Sequence, residues 1–579
     1  MKVLLVALVL PMMVQAQTGI VSGTVTDSES GDVLAGANVV IEGTTLGAAA
    51  DADGNYSISN VAAGTVTVSA SVIGYEDGSQ TVNLTEGGTA TVNFALAPSA
   101  IMLSGLEILA DRATRATAVA YSNIDKEDME LRLGSRDIPM VLNMTPSVYA
   151  TAQGGGAGDA RVNVRGFNQR NIAIMINGVP VNDMENAWVY WSNWDGVGDA
   201  TASIQMQRGL SNVNLATPSV GGTMNIITDP TALASGGNFR QEIGSWGFLK
   251  STLNYNTGLI NDKMAFSATI VRKTGDGYYL GTWTDAWAYY FGASYALSDK
   301  DRLELYAVGA PQRHGQNLYK QNIASYSQDY AKGLDGYDSG GLDKFAEAGD
   351  GRAYNENYNT VSSSYTGKQY WSMYGVRDGV ERFDAGILNE RENYFHKPQV
   401  NLNWYHTFSD QMRVSSIFYF SGGKGGGTGT YGSMVWDYNG PSRIVNWDAT
   451  IARNDTNATG SRGILRNSVN QQWTLGAISK LSLDVSDKLK TTFGIDWRTA
   501  EIGHWREVRD LLGGEYYRYT GNDFDVTDTD YQKGLGDKIA YNYTNTVDWL
   551  GFFGQGEFIS GPISAYGMGG YSIIGYTFT

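Results

Sequence analysis

Apolar and polar residues alternate along much of the chain after residue 230. In the clearest run, the mostly apolar positions Val400, Leu402, Trp404, His406 and Phe408 alternate with the mostly polar positions Asn401, Asn403, Tyr405 and Thr407. Successive side chains of a β-strand point to opposite faces of a sheet, and about nine residues is the length of a strand that crosses a bilayer. The pattern therefore predicts an antiparallel transmembrane β-sheet with a lipid-facing side and a lumen-facing side.

The connections between these runs alternate in length. Residues 261–263 and 409–411 form short connections, whereas 311–397, 421–471 and 499–548 are long and rich in tyrosine and glycine. Short turns on one side and long loops on the other are typical of outer-membrane barrels. We count roughly eleven strands in this part of the chain, from residues 238–243 to residues 564–578.

Residues 19–97 alternate in shorter runs, which include Val21, Gly23 and Val25, and turn clusters separate these runs. Several short strands at this spacing predict a small β-sandwich. Residues 51–55 have the acidic pattern of a calcium loop. Position twelve of that pattern is Ala62 rather than glutamate, so we predict a plain β-turn.

Between the two alternating parts, residues 161–228 contain short apolar strands joined by glycine turns. The strands and turns fall at 162–166, 172–180, 204–209 and 221–228. Asn177-Gly178 between apolar runs predicts a type I′ hairpin, because that turn needs positive φ at both central residues.

The order of these elements resembles the plug domain of TonB-dependent outer-membrane receptors. It contains Arg-Gly, Asn-Gly-Val-Pro, a second Arg-Gly and Gly-Gly-Thr-Met-Asn-Ile-Ile-Thr in turn, and residues 35–39, 53–56 and 73–75 are similar to the carboxypeptidase-regulatory-like domain that precedes many such receptors. The resemblance implies a carboxypeptidase-regulatory-like β-sandwich at 17–98, a linker at 99–115, a plug at 116–229 and a transmembrane barrel at 230–579.

Plugged barrels of this family need about twenty-two strands to make room for the plug. Our count of roughly eleven is half of that number, and bacterial barrels have even strand numbers. The predicted fold is therefore mainly β: an N-terminal β-sandwich, an α+β plug domain, and a partial antiparallel barrel that is C-terminally incomplete.

The linker contains the extended apolar segment Leu106, Glu107, Ile108, Leu109 and Ala110. An extended segment without a partner strand leaves a backbone edge free to pair with another chain. In the family this position carries the TonB box, which TonB captures by strand addition, so the resemblance implies that these five residues bind TonB. The alternative is an ordinary linker strand that packs on the plug.

Composition narrows the classes of function. The chain has no cysteine, which excludes disulfides, zinc-thiolate sites and cysteine nucleophiles, and its net charge of −17 argues against nucleic-acid binding. The four histidines, at 314, 396, 406 and 504, have no metal-ligand spacing, so we predict no metal, cofactor or catalytic residue. Residues 1–16 have the pattern of a secretory signal peptide that is cleaved after Ala16.

Two groups of plug residues are candidate functional residues. Arg165 and Arg208 each precede a glycine, and we predict that they dock the plug to acidic residues of the barrel wall; direct ligand contact is the alternative. The aromatic and acidic residues just after the hairpin are candidate ligand contacts, and these are Asp183, Glu185, Trp188, Tyr190 and Trp194. The alternative for the aromatic rings is that they wedge the plug against the wall.

The leading hypothesis is a TonB-dependent active transporter in the outer membrane of a Gram-negative bacterium. It implies outer-membrane lipid, TonB with ExbB and ExbD, and a transported small molecule or oligomer as partners. A SusD-like lipoprotein is a further candidate, although residues 207–221 depart from the pattern of the glycan importers. A passive porin or structural surface protein, and a carbohydrate-active enzyme, are the alternatives; a porin needs no plug, and no acidic pair lies in a recognisable catalytic motif.

Overall fold

The structure is a computed structural model. It describes residues 18–28, 31–72, 75, 77–97, 120–155, 158–209, 219–367, 369–371, 379–380, 384–521, 530–561 and 563–579. The predicted signal peptide and the TonB-binding segment 106–110 lie outside the described residues. The chain divides into two compact units, Met1–Ser104 and Gly105–Thr579.

The first unit is a β-sandwich. Its strands are β1 (Thr18–Asp27), β2 (Asn38–Ile41), β3 (Gly47–Ala49), β4 (Asn55–Ala62), β5 (Gly64–Ser71), β6 (Gly78–Leu84), β7 (Thr89–Thr91) and β8 (Phe94–Leu96). One sheet has the order β4-β1-β7, with β8 also on β1, and the other has the order β3-β2-β5-β6. Inward-facing residues such as Val21, Val39 and Val68 are buried between them, as the alternation predicts. Asp51 closes a turn by accepting hydrogen bonds from the amides of Asp53 and Asn55.

The second unit begins with the plug. Its strands are β9 (Ala120–Asp125), β10 (Val148–Thr151), β11 (Arg161–Val164), β12 (Phe167–Asn168), β13 (Ile172–Ile176), β14 (Val179–Pro180), β15 (Ser203–Arg208) and β16 (Gly222–Ile227), and its helices are α1 (Lys126–Arg132) and α2 (Val197–Ala200). Short 3-10 helices lie at Ile138–Met144, Gln169–Asn171, Trp191–Trp194 and Pro230–Ala232. The main sheet has the order β14-β13-β16-β15-β9. Asn177 (φ 50°) and Gly178 (φ 81°) both have positive φ, so the predicted hairpin turn is confirmed.

The rest of the unit is one large antiparallel sheet, with short strands and helices in the long connections. The strands are β17 (Gly236–Ile243), β18 (Leu249–Asn256), β19 (Met264–Gly275), β20 (Thr284–Ala296), β21 (Asp301–Gly309), β22 (Gln312–Gly315), β23 (Tyr358–Thr360), β24 (Gln369–Tyr370), β25 (Gly379–Val380), β26 (Ile387–Asn389), β27 (Glu392–His396), β28 (Gln399–Ser409), β29 (Met412–Gly432), β30 (Trp436–Asp437), β31 (Ile444–Val445), β32 (Gly463–Ser486), β33 (Leu489–Asp510), β34 (Tyr517–Arg518), β35 (Gln532–Lys533), β36 (Lys538–Ser560) and β37 (Ile563–Phe578). Helices α3 (Gln328–Lys332), α4 (Gly340–Lys344) and α5 (Trp447–Asp455), and 3-10 helices at Ile323–Ser325 and Gly351–Ala353, lie in the long connections.

The principal path of this sheet contains eleven strands, in the order β17-β18-β19-β20-β21-β28-β29-β32-β33-β36-β37, which confirms the predicted count. The alternation on β28 also has the predicted sense. Val400 and Leu402 are exposed on the outer face, whereas Asn401 and Asn403 are buried on the face that meets the plug. The mainly β fold class is confirmed.

Four strands are much longer than the alternation predicted. β29, β32, β33 and β36 have 21 to 24 residues each, roughly twice what a bilayer requires. The predicted loops 421–471 and 499–548 therefore start too early. Beyond the membrane neither face of a strand meets lipid, so both faces carry polar residues and glycine, and the period-two signal is lost although the strands continue to pair.

Candidate functional site: the plug and its contacts with the wall

The plug packs against the inner face of the large sheet through a small apolar patch. Ala173, Met175 and Val179 of the plug contact Ile417, Tyr419 and Ile478 of the wall. A side-chain carbon at Gly178 would lie 2.5 Å from Cδ1 of Ile417, so the hairpin turn lies against this wall residue, and its positive φ also favours glycine.

Carboxylates of the plug make charged contacts with cations of the wall. Asp199 lies 2.7 Å from Nζ of Lys250 and 3.0 Å from Nη2 of Arg240, and Asp195 lies 2.5 Å from Nζ of Lys273. Lys250 and Lys273 are buried, so each lysine depends on its acidic partner to offset the cost of desolvation.

Two further plug carboxylates bind histidines of the wall. Oδ2 of Asp159 lies 3.2 Å from Nε2 of His314 and accepts a hydrogen bond from Gln316 at 2.7 Å. Oε2 of Glu185 lies 2.9 Å from Nε2 of His504, and Asn545 donates to Oε1 of the same residue. We call the four residues Asp159, Glu185, Asp195 and Asp199 the plug latches.

The latches have the opposite polarity to the predicted docking contacts. We expected plug arginines to meet wall carboxylates, but the guanidinium of Arg208 donates to the carbonyls of Pro146 and Tyr121 inside the plug. The guanidinium of Arg165 lies over Gly209, where a side-chain carbon would be 2.2 Å from Nη1. Both arginines thus contact other plug segments, and a docking role for them stays a prediction.

Asp137 connects the charged interface to the plug core. Its buried carboxylate accepts hydrogen bonds from the amides of Gly158 (2.9 Å) and Ala160 (3.0 Å), the loop that carries latch Asp159. Burial raises the pKa of Asp137 from 3.8 to about 6, against the opposing effect of Lys273 and the two amides. The Asp137 carboxylate therefore fixes the loop that carries Asp159. Keeping this buried group charged costs free energy, and that cost depends on pH.

The acidic candidates after the hairpin are engaged in the closed plug. Oδ1 of Asp183 accepts hydrogen bonds from the amides of Glu185 (3.0 Å) and Asn186 (3.1 Å) and so shapes the apex loop. With the Gln472 amide oriented to satisfy both neighbours, Gln472 donates to Oδ2 of Asp183 and accepts from Lys397. A ligand contact by Asp183 or Glu185 stays a prediction, and it would require these bonds to open.

The aromatic candidates divide into surface and core residues. The ring of Trp188 lies under the guanidinium groups of Arg161 (4.7 Å) and Arg170 (4.9 Å), and Tyr190 is 44% exposed. Trp194 is 1% exposed inside the plug core, because the 3-10 helix Trp191–Trp194 turns it inward. A ligand contact by Trp194 would require the plug core to open, and it stays a prediction, as does a role for Trp188 and Tyr190.

No group of three or more histidine, aspartate, glutamate or cysteine side chains is arranged to hold a metal ion within the ranges that the structure describes. In the same ranges, no helix combines the length and apolar character needed to cross a membrane.

Comparison with protein families gives two matches. Residues 21–107 match the CarboxypepD_reg-like domain, and residues 113–223 match the TonB-dependent receptor plug domain. The chain therefore contains a TonB-dependent receptor plug domain preceded by a CarboxypepD_reg-like domain. The large antiparallel sheet follows the matched plug region and has the alternation of a membrane-spanning β-sheet.

Individual TonB-dependent receptors are similar at low identity. TonB-dependent receptor P3 of Formosa agariphila is 22% identical over 97% of this chain and 51% of its own length, and the probable siderophore receptor PirA of Acinetobacter baumannii is 28% identical over 19% of this chain and 16% of its own length. The chain spans about half the length of the first of these relatives. The unliganded ferric citrate transporter FecA has a TM-score of 0.51 at 12% identity, over 80% of this chain and 57% of that chain, which shows a shared fold.

Sequence reasoning missed the latches. Asp195 and Asp199 are ordinary acidic residues among 59 in the chain, and their partners Lys273 and Lys250 lie in strands read only for alternation. One signal was available: a lysine at an inward-facing strand position needs a buried anion, and the plug was the only segment expected inside the barrel.

Proposed function

We propose that the protein acts as a TonB-dependent active transporter, which imports a scarce nutrient across the outer membrane while the plug gates the barrel. The candidate ligand classes are siderophore, glycan and peptide. TonB, energised by ExbB and ExbD, would capture segment 106–110 by strand addition and pull on the plug. The observation that supports this proposal best is the set of latches, which join the plug to the wall through separate polar contacts beside a small apolar patch.

The energetics of the latches favour active transport over a passive porin. Removing a buried charge from its partner costs about 3–5 kcal/mol. The two contacts with buried lysines, Asp199–Lys250 and Asp195–Lys273, make spontaneous release of the plug rare, so opening requires an energy supply. A passive porin would have no use for a plug held in this way.

A reversible cross-link between plug and wall tests the gating role. The substitutions Glu185→Cys and His504→Cys introduce two thiols at a latch whose side chains touch at 2.9 Å, in a chain that has no other cysteine. We expect a short, reducible thiol-specific cross-linker to stop uptake in cells and a reductant to restore it. The nutrient for the assay is the one on which a deletion strain fails to grow.

The two single-cysteine variants, treated with the same reagent, are the matched controls, and reduction should leave the transport rate of each variant as it was before reduction. Continued uptake by the fully cross-linked double variant would contradict plug gating and would favour a passive path. Growth of the deletion strain on every nutrient source would contradict a transport role.

A further inference from the structure

Three arginines gather at the external ends of the long strands. Arg466 lies on β32, Arg506 lies on β33, and Arg391 immediately precedes β27. Strand pairing places Ser468 opposite Arg506 and Asn470 opposite His504, so these residues share one face of the sheet. His504 contacts the plug through Glu185, and that face is therefore the lumen side. We call the space bounded by the three arginines the arginine vestibule.

The vestibule lies just beyond the plug. Arg506 is two residues further along β33 than His504 towards the long external connection, which corresponds to about 7 Å along the strand. A molecule that enters from outside would thus meet the arginines before it reaches the apex loop of the plug.

Two of the guanidinium groups border the same space above Gly429. A side-chain carbon added at Gly429 would lie 2.6 Å from Nη2 of Arg466 and 2.8 Å from Nη1 of Arg391. Gly429 pairs with Arg466 across β29 and β32, so the missing side chain makes room for both cations. Two like charges held this close repel each other unless an anion lies between or beside them.

Tyrosine rings lie against the third guanidinium, that of Arg506, and a serine binds Arg466 beside it. Arg506 lies over the rings of Tyr541 (5.0 Å) and Tyr431 (5.6 Å). The hydroxyl of Ser468 accepts from Nη1 of Arg466 at 2.7 Å, and Tyr541 donates to the same hydroxyl at 3.3 Å. Arginine side chains fixed in this way lose less conformational freedom when they bind a ligand.

The arginines have few anionic partners inside the protein. Over the described ranges, Arg466 and Arg506 form no ion pair, and the carboxylate of Glu390 lies 3.9 Å from Arg391. The Nε atoms of all three arginines are buried, and none of them has a hydrogen-bond partner among the residues that the structure describes. Glu507 follows Arg506 in sequence, but it is buried and accepts hydrogen bonds from Asn467 and Trp505.

We propose that the arginine vestibule binds oxyanion groups, which are carboxylate, sulfate or phosphate, on the imported ligand. This inference deepens the proposed function, on which it rests, by naming the charge class of the substrate. Guanidinium groups match planar and tetrahedral oxyanions with paired N–H donors. A chain with a net charge of −17 would repel such a ligand elsewhere, so a local cluster of cations marks its entry point.

Direct binding to the purified full-length receptor in detergent tests the proposal. The probes are citrate, tripolyphosphate and a sulfated oligosaccharide, with an uncharged oligosaccharide of the same length as reference, in calorimetric titrations at two salt concentrations. We expect at least one anionic probe to bind, with an affinity that falls as salt rises, and the uncharged reference to bind no more tightly. Arg466→Gln and Arg506→Gln should each weaken that probe about tenfold or more, the effect of losing a charged hydrogen bond.

Arg413→Gln is the matched control, because Arg413 pairs with Asp484 near the opposite end of the strands, and its loss changes net charge equally. The probe that binds identifies the oxyanion. Equal weakening by Arg413→Gln would overturn the proposal in favour of a general field effect, and so would absence of binding by all three probes.

A measurement on the unmodified protein tests the proposal even if the variants fail to fold. An arginine-specific dicarbonyl reagent, read by mass spectrometry, should modify Arg466 and Arg506 several times more slowly with the bound probe, while Arg413 reacts at an unchanged rate. Unprotected vestibule arginines would overturn the proposal. Because these assays need no energy source, they distinguish its failure from that of active transport: a receptor that binds the probe but transports nothing would contradict the proposed function only.

Discussion

The plug interface and the arginine vestibule use cations of the wall in two different ways. At the interface, Lys250 and Lys273 are buried and each lies against a plug carboxylate. In the vestibule, Arg466 and Arg506 meet tyrosine rings and a serine hydroxyl, and they form no ion pair within the described part of the chain. The two regions therefore differ in the partners of their cations, which are plug carboxylates at the interface and neutral side chains in the vestibule.

Mutations in the two regions should have separate effects. If the interface is the region that opens and the vestibule is the region that binds, changes at the interface should alter transport and plug stability, whereas changes near the vestibule should alter affinity.

The largest expected effect is loss of uptake on disruption of segment 106–110. Proline at Ile108 removes a backbone donor and fixes φ, so strand addition by TonB should fail. We expect Ile108→Pro to abolish uptake while ligand affinity stays unchanged, as measured side by side in whole cells and on purified full-length receptor. Ile108→Ala, which keeps the backbone donor, is the matched control and should retain most of the uptake. Undiminished uptake by Ile108→Pro would assign the segment to the linker alone.

The next effect concerns the interface itself. Asp199→Ala would leave Lys250 buried with only the more distant Glu242, at 3.2 Å, as an anionic partner. We expect this variant to lower the free energy that holds the plug by about 3–5 kcal/mol, measured as faster proteolysis of the plug in intact receptor. Glu130→Gln removes a partner of Arg240 that is 39% exposed, and it should cost at most about 1 kcal/mol. Equal effects of the two variants would show that the buried latch is no stronger than a surface pair.

The sequence predicts one side of this comparison better than the other. Alternation gave the eleven strands and the inward face of Asn401 and Asn403, because one face of each strand meets lipid. It could not give the pairing of Asp199 with Lys250, which joins two segments about fifty residues apart through a domain that folds inside the lumen. Arg466 and Arg506 lie in the extensions of β32 and β33. These extensions have no lipid-facing apolar side, so alternation does not predict them. The burial of Trp194 could not be predicted either, because it depends on the 3-10 helix Trp191–Trp194, which has no clear sequence signal.

A pH titration tests whether Asp137 supports the interface at an electrostatic cost. Its pKa is raised from 3.8 in the unfolded chain to about 6 in the plug, so its protonated form stabilises the fold below pH 3.8, and that stabilisation is lost as the pH rises through 6. Between pH 4 and 7.5 the plug of the unmodified protein should lose about 2–3 kcal/mol relative to Asp137→Asn, measured by calorimetric unfolding of both proteins in parallel. A difference that stays constant over this range would show that the carboxylate is not protonated in the folded plug.

The smallest expected effect separates binding from support within the apex loop. Trp188 lies under two guanidinium groups and Tyr190 is exposed, whereas Trp191 is 2% exposed and donates to Gln169 at 3.1 Å. We expect Trp188→Ala and Tyr190→Ala to weaken ligand binding by about 1–3 kcal/mol each, measured by calorimetry with the nutrient that the deletion strain identifies. Trp191→Ala should instead destabilise the plug by about 3–5 kcal/mol, because it empties a core position. Unchanged affinity in both surface variants would reject the binding role of the apex loop and leave the arginine vestibule as the ligand contact. Weakening in all three variants alike would mean that plug stability, and not ring contact, controls affinity.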